Sequence, residues 1–216
     1  VLNARYFKTG KGQYGEGDVF IGVTVPNVRK VAKEFLVLPM REVQKLLAST
    51  LHEVRLLGAI LWTMQFVKGD DRTRRAIFDA YLASAARMNN WDLVDTSAPK
   101  IVGEWLVDRD RQALKRLAAS SLLWERRIAI VATYAFIRRG DPSTTFAVAD
   151  LVMSDREDLM HKATGWMLRE VGKRCGRAAL IEYLKPRCAT MPRTMLRYAI
   201  EHFPAVERRR WLLGKV

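Results

Sequence analysis

Glu53-Val54-Arg55-Leu56-Leu57 opens a long apolar run after a short loop, and Glu125-Arg126-Arg127-Ile128-Ala129 opens another. Both runs end in a basic–Gly–Asp turn, Lys68-Gly69-Asp70 and Arg139-Gly140-Asp141. Arg55 and Arg127 stand 72 residues apart. Half that interval beyond Arg55 lies Trp91, and 35 residues beyond Arg127 lies Lys162, again early in an apolar run. A recurrence of about 36 residues in a helical chain is the signature of helix pairs stacked into a solenoid.

The rest of the chain reads as helix to match. From Pro26 onward, apolar residues recur at helical spacing: Val28, Val31, Ala32 and Phe35, then Val43, Leu46 and Leu47 after Pro39. Further helices are expected over 54–67, 73–88, 92–107, 111–119, 124–137, 142–153, 158–175, 178–184, 193–203 and 205–213. Pro99 should kink or split the segment 92–107. Turn residues punctuate the series, among them Gly69-Asp70, Asn89-Asn90, Gly140-Asp141-Pro142 and Gly176. No stretch alternates with period two for long enough to read as a strand. The expectation is an all-α, HEAT-like helical-repeat solenoid with a concave basic face, residues 1–216 forming one domain. Residues 1–20 read as an irregular N-terminal segment, with four glycines between Lys8 and Asp18. That loop lacks the pattern of a phosphate-binding P-loop, and no strand precedes it.

Hydrophobic residues make up 49% of the 216, which supports a sizeable core rather than global disorder. No apolar run reaches membrane-spanning length. The start, Val1-Leu2-Asn3-Ala4-Arg5-Tyr6, has no signal-peptide layout, and its lack of Met leaves room for preceding residues. A soluble, monomeric, cytoplasmic protein associated with the nucleoid is therefore expected. Lys and Arg total 37 against 23 acids, a formal charge of +14, and residues 151–216 carry half of it. Such an excess without a membrane-anchoring feature favours a nucleic-acid partner over a membrane. Cys175 and Cys188 form no CxxC pair, and His52, His161 and His202 are scattered, so neither a metal nor another cofactor is expected.

Against that basic background, Asn90-Trp91-Asp92-Leu93-Val94-Asp95 places an indole and a carboxylate four residues apart. On a helix they share one face. An aromatic face and an anion together suit a cationic guest. Asp92 falls about 100° around the helix from Trp91 and reads as a first-turn acid or cap. In the repeat register, Arg55, Trp91, Arg127 and Lys162 form one stripe, with Asp95 and Trp166 one turn further along. Such a stripe would offer cations to phosphates. Gly165 beside Trp166 leaves room for close approach of a backbone or ligand. Trp62, Trp105, Trp124 and Trp211 are assigned to packing, and Arg208-Arg209-Arg210 to a solvated face or non-specific phosphate contact.

Four blocks occur in order along the chain. They are Phe20-Ile21-Gly22-Val23-Thr24-Val25-Pro26-Asn27-Val28-Arg29-Lys30, Trp91-Asp92-Leu93-Val94-Asp95, Trp124-Glu125-Arg126-Arg127 and Lys162-Ala163-Thr164-Gly165-Trp166-Met167-Leu168-Arg169-Glu170. Together they resemble the AlkD-like DNA alkylation repair family, HEAT-like-repeat DNA glycosylases, from about Tyr6 to the last helices. The resemblance implies hydrolytic excision of positively charged N-alkylated purines, chiefly 3-methyladenine and 7-methylguanine, from double-stranded DNA. It implies catalytic roles for Trp91, Asp95 and Trp166, and a phosphate contact at Arg127. The family's N-terminal aromatic matches Tyr6. Arg55, Lys162 and Arg169 join the candidate DNA contacts. Two other readings stay open at this point: a non-catalytic helical-repeat protein that binds branched or damaged nucleic acid, and a protein-interaction scaffold.

Overall fold

The computed structural model describes residues 7–216. Tyr6 lies outside them. The chain is all-α; its described residues contain no strand beyond an isolated bridge between Val19 and Leu51. It divides into two compact units, Val1–Trp105 and Leu106–Val216.

In the first unit, α1 (Val25–Glu34), α2 (Met40–Leu47), α4 (Asp71–Ala83) and α5 (Trp91–Ala98) all pack on α3 (His52–Lys68). Because neighbours surround it, α3 buries residues on every side, from Leu56 and Ile60 to Trp62 and Phe66. Local signals set the helix ends. The Asp70 carboxylate accepts from the Thr73 N–H at the start of α4, and the Asn90 side chain accepts from the Trp91 N–H at the start of α5. Pro99 splits the next segment: α5 ends at Ala98, a π turn spans Pro99–Gly103, and α6 (Glu104–Leu106) follows. The expected inner face of α1 is half right. Val28 and Ala32 are buried, but Val31 and Phe35 are exposed.

The second unit holds α7 (Gln112–Ala118), α8 (Leu123–Ala132), α9 (Tyr134–Ile137), α10 (Ser143–Leu151), α11 (Asp158–Arg174), α12 (Arg177–Leu184), α13 (Arg193–Ala199) and α14 (Ala205–Leu212). Its centre is α11, packed on α8, α10, α12 and most extensively on α13. Gly165 explains that last contact. A Cβ there would stand 2.5 Å from the Met195 carbonyl oxygen, so close approach is made to a helix of this unit. The segment read as one helix over 124–137 breaks at Thr133, whose hydroxyl donates to the Ile130 carbonyl at 2.6 Å.

The recurrence is visible in hydrogen bonds. Arg55 donates to the Ser49 carbonyl, Arg126 to the Ser120 carbonyl, and His161 contacts the Asp155 carbonyl, each six residues back. In each preceding turn the side chain at 49, 120 or 155 accepts a backbone N–H two residues on. Structurally, Arg126 and His161 are therefore the equivalents of Arg55. The sequence register that paired Arg55 with Arg127 and Lys162 is one residue late.

Candidate active site

The first unit contains a cavity of about 390 Å³. Its wall is built by three segments that the local sequence brings together. The N–H groups of Ile21 and Gly22 donate to the Glu53 carboxylate at 3.0 and 2.8 Å, and the His52 N–H donates to the Val19 carbonyl. These bonds lay residues 19–26 across the start of α3, so that Phe20 and the stretch from Val23 to Pro26 close one side. The start of α5 supplies Trp91, Asp92 and Asp95, and Phe7 comes from the N-terminal segment.

The aromatic rings form a cluster. Phe7 lies 5.3 Å from Trp91 and 4.8 Å from Phe20, both at low interplanar angles. The His52 ring lies 4.5 Å from Phe20 at 27° and 5.0 Å from Phe7 at a tilt of 45°, so the three ring centres form a triangle. Behind the cluster is a buried charge network centred on Asp18, whose side chain is 2% exposed. Asp18 accepts from Asn89 and Asn90 at 3.0 Å each, from the Arg55 guanidinium, and from His52 Nδ1 at 3.2 Å. The other ring nitrogen, His52 Nε2, lies 2.8 Å from Asp92 Oδ2. Burial pushes Asp18 up, but the hydrogen bonds from His52 and Asn90 and the charges of Arg55 and His52 outweigh it and hold it below the usual carboxylate range. Burial likewise opposes charge on His52. Its hydrogen bonds to Asp18 and Asp92, with both carboxylate charges, still raise it from 6.5 to about 9.

Trp91 and Asp95 thus line one cavity, half-buried, as does Asp92. The last is a correction: Asp92 does bond the Leu93 N–H as a first-turn acid, but its carboxylate also reaches the cavity wall and His52. Complete burial pushes the Tyr81 phenol up, the Ser97 hydroxyl 2.8 Å away pulls it down, and the charge of Asp95 adds a smaller upward push. The field of Asp95 is therefore felt inside the unit as well as at the cavity.

The remaining described candidates are not among the residues that line this cavity. Arg55 is 4% exposed, its guanidinium engaged by Asp18 and the Ser49 carbonyl, so it faces the interior of the first unit rather than solvent. Arg127 is also 4% exposed and donates to the Leu159 carbonyl at 2.7 Å, tying α8 to α11. Lys162 sits 2.7 Å from Asp158, with its side chain 38% exposed. Trp166 is half-buried beside Tyr134, ring centres 6.4 Å apart, and Arg169 pairs with Glu201. These four belong to the second unit. Phe7, Asp18, Phe20, His52 and Glu53 were not singled out from the sequence as site residues. A usable signal was there: His52-Glu53-Val54-Arg55 sets three chargeable residues at the head of an otherwise apolar helix.

An all-α chain of recurring helix pairs, bearing a cavity of stacked aromatics and carboxylates, defines a helical-repeat protein with a candidate cation site. The chain belongs to the family of DNA alkylation repair enzymes, which it matches over residues 2–203. No curated protein matches it. Among solved structures it is similar to a predicted DNA alkylation repair enzyme from Enterococcus faecalis, with 17% identity, 94% of each chain covered and a TM-score of 0.69. At that identity the likeness speaks to the fold alone. Among the described residues, no helix is long and apolar enough to cross a membrane.

Proposed function

We propose that this repair enzyme is a DNA glycosylase that hydrolyses the N-glycosidic bond of cationic N-alkylated purines, such as 3-methyladenine and 7-methylguanine, in double-stranded DNA. The observation that carries this reading is the shared cavity of Trp91, Phe7, Asp92 and Asp95. Aromatic faces and carboxylates attract a cation and repel a phosphate. An N3- or N7-alkylated purine is such a cation held within a polyanion, and the formal charge of +14 suits the polyanion.

The chemistry asks little of a general acid. When the C1′–N bond breaks, its electron pair neutralises the positive purine, which leaves as a neutral base. The sugar becomes oxocarbenium-like. Asp95 stabilises that cation and accepts the proton of the water that adds to C1′. Trp91 supplies a ring face to the charged base or sugar, on the order of 0.5–2 kcal/mol. No metal or organic cofactor enters this scheme. In the second unit, Trp166 remains a candidate second aromatic, and Lys162 and Arg169 candidate phosphate contacts. Arg55 is left out because its guanidinium is spent on Asp18.

Asp95→Asn tests the reading, since it keeps the shape and removes the charge. Single-turnover excision of 7-methylguanine from a duplex, read as alkali-labile strand breaks, should fall at least about 10²-fold, while duplex affinity is kept. Equal rates in the two proteins, with equal melting temperatures, would refute it.

A further inference from the structure

We propose that His52 is a positioning residue of this cavity: a buried cation bonded at both ring nitrogens, which fixes Asp92 in the wall as a second working carboxylate beside Asp95. The proposal rests on the glycosylase reading and extends it to two residues which that reading leaves without a part.

Geometry argues for the cation. His52 is 2% exposed and meets a carboxylate oxygen at each nitrogen, 3.2 Å to Asp18 and 2.8 Å to Asp92. An ionised carboxylate accepts and cannot donate, so both ring nitrogens must carry hydrogens. Phe20 stacks on the ring and Phe7 meets it at a tilt, so the ring is held in its plane with the face of Phe20 favouring a cation. Both partners are themselves held. Asp18 is bonded by Arg55, Asn89 and Asn90, and Asp92 by the Leu93 N–H. Rotation of any one group would break a bond at another.

Asp18 from the N-terminal segment and Asp92 from α5 face His52; Arg55 of α3 bonds Asp18, and Glu53 of α3 and Asp95 of α5 line the same cavity. Two carboxylates on one small cavity repel each other. A cation bonded to Asp92 relieves that repulsion without occupying the space for a guest. The cavity then offers two fixed anions to a cationic base or sugar. A neutral imidazole would leave one carboxylate facing a ring lone pair, and Asp92 would swing away.

The test pairs a direct reading of the ring with kinetics. Nitrogen NMR of histidine-labelled wild-type protein should show His52 protonated at both ring nitrogens at pH 7.5, titrating only near pH 9. Single-turnover excision by the wild type should hold level from pH 6.5 to 8 and fall above about 9, as the ring loses its proton. His52→Gln should be about 10-fold slower at pH 7.5 and should lose that high-pH fall, with duplex affinity unchanged. Asp92→Asn should cost a similar factor and lower the pH at which the His52 ring titrates. It stands in for His52→Gln should that variant not fold. A neutral ring at pH 7.5, or variants with wild-type rate and pH profile, would overturn the proposal. The two readings can fail separately. A doubly protonated ring in a chain that excises nothing keeps the clamp and removes the glycosylase. A neutral ring in a chain that excises removes the clamp alone.

Discussion

Raising the pH should destabilise this protein through His52, and the effect can be sized. The folded ring titrates at about 9 instead of its ordinary 6.5. That gap is worth about 3 kcal/mol of preferential stabilisation of the imidazolium. The sign follows from the direction. Below 6.5 the ring is protonated in folded and unfolded chain alike, and the whole contribution is present. Between 6.5 and 9 the unfolded chain gives up its proton first, so stability drains away, and above 9 it is gone. Asp18 works from the other side. Its carboxyl is held below the ordinary 3.8, so its share is present above that value and is lost as the pH falls through the lower folded one. The network is strongest between roughly pH 4 and 6.5. Urea unfolding at pH 6, 7.5 and 9.5, with a common m-value, reads the loss directly. Cys175, Tyr81 and Tyr183 are also shifted upward by burial and add to the slope at high pH, so the comparison must be with His52→Gln. The variant should start lower at pH 6 and lose about 3 kcal/mol less over the range. Parallel curves for the two proteins would refute the argument.

Two more outcomes follow from single contacts in the second unit. Gly165→Ala should lower stability by about 1–3 kcal/mol in urea unfolding, because the new Cβ meets the Met195 carbonyl and Tyr198 Cβ at 2.5 Å and α13 must shift. Arg127→Ala should cost a further measure of the same kind, about 1–3 kcal/mol in a thermal melt corrected to free energy, since it strips the donor from the Leu159 carbonyl between α8 and α11.

The helices were legible because their ends are written locally. Asp70 caps α4, Asn90 caps α5, and Pro99 breaks the run where a ring must. The break at Thr133 was not, because a hydroxyl turning back on the Ile130 carbonyl leaves no mark on the hydropathy pattern. The repeat was legible in its period but not in its register. Arg126 and Arg127 are the same residue type side by side, and what separates them is which guanidinium reaches the carbonyl six residues back. Of the cavity, Trp91 and Asp95 could be paired because helical spacing joins them. His52 looked isolated because its partners stand 34 and 40 residues away, and only the folding of residues 18–26 over α3 brings Asp18 to it.

The charge of the chain and the charge of the cavity have opposite signs, and distance decides which of them a DNA atom feels. Formally, Asp18, Glu53, Asp92 and Asp95 outweigh His52 and Arg55 around the cavity, on a protein whose total is +14. Ions screen exposed charges over about 8–10 Å at physiological salt. On the proposed reading, a duplex that comes within about that distance of the surface meets the basic excess and is drawn in, at a rate that salt should slow. Inside the cavity, against low-dielectric aromatic walls, the nearby carboxylates dominate. A phosphate that reached the cavity would be repelled, a neutral base would gain little beyond stacking, and a base with a fixed positive charge would gain most. If the chain is the glycosylase proposed above, discrimination between an alkylated purine and a normal one needs no hydrogen bond to the alkyl group. It follows from the charge the alkylation leaves behind, which is also the feature that weakens the bond to be cut.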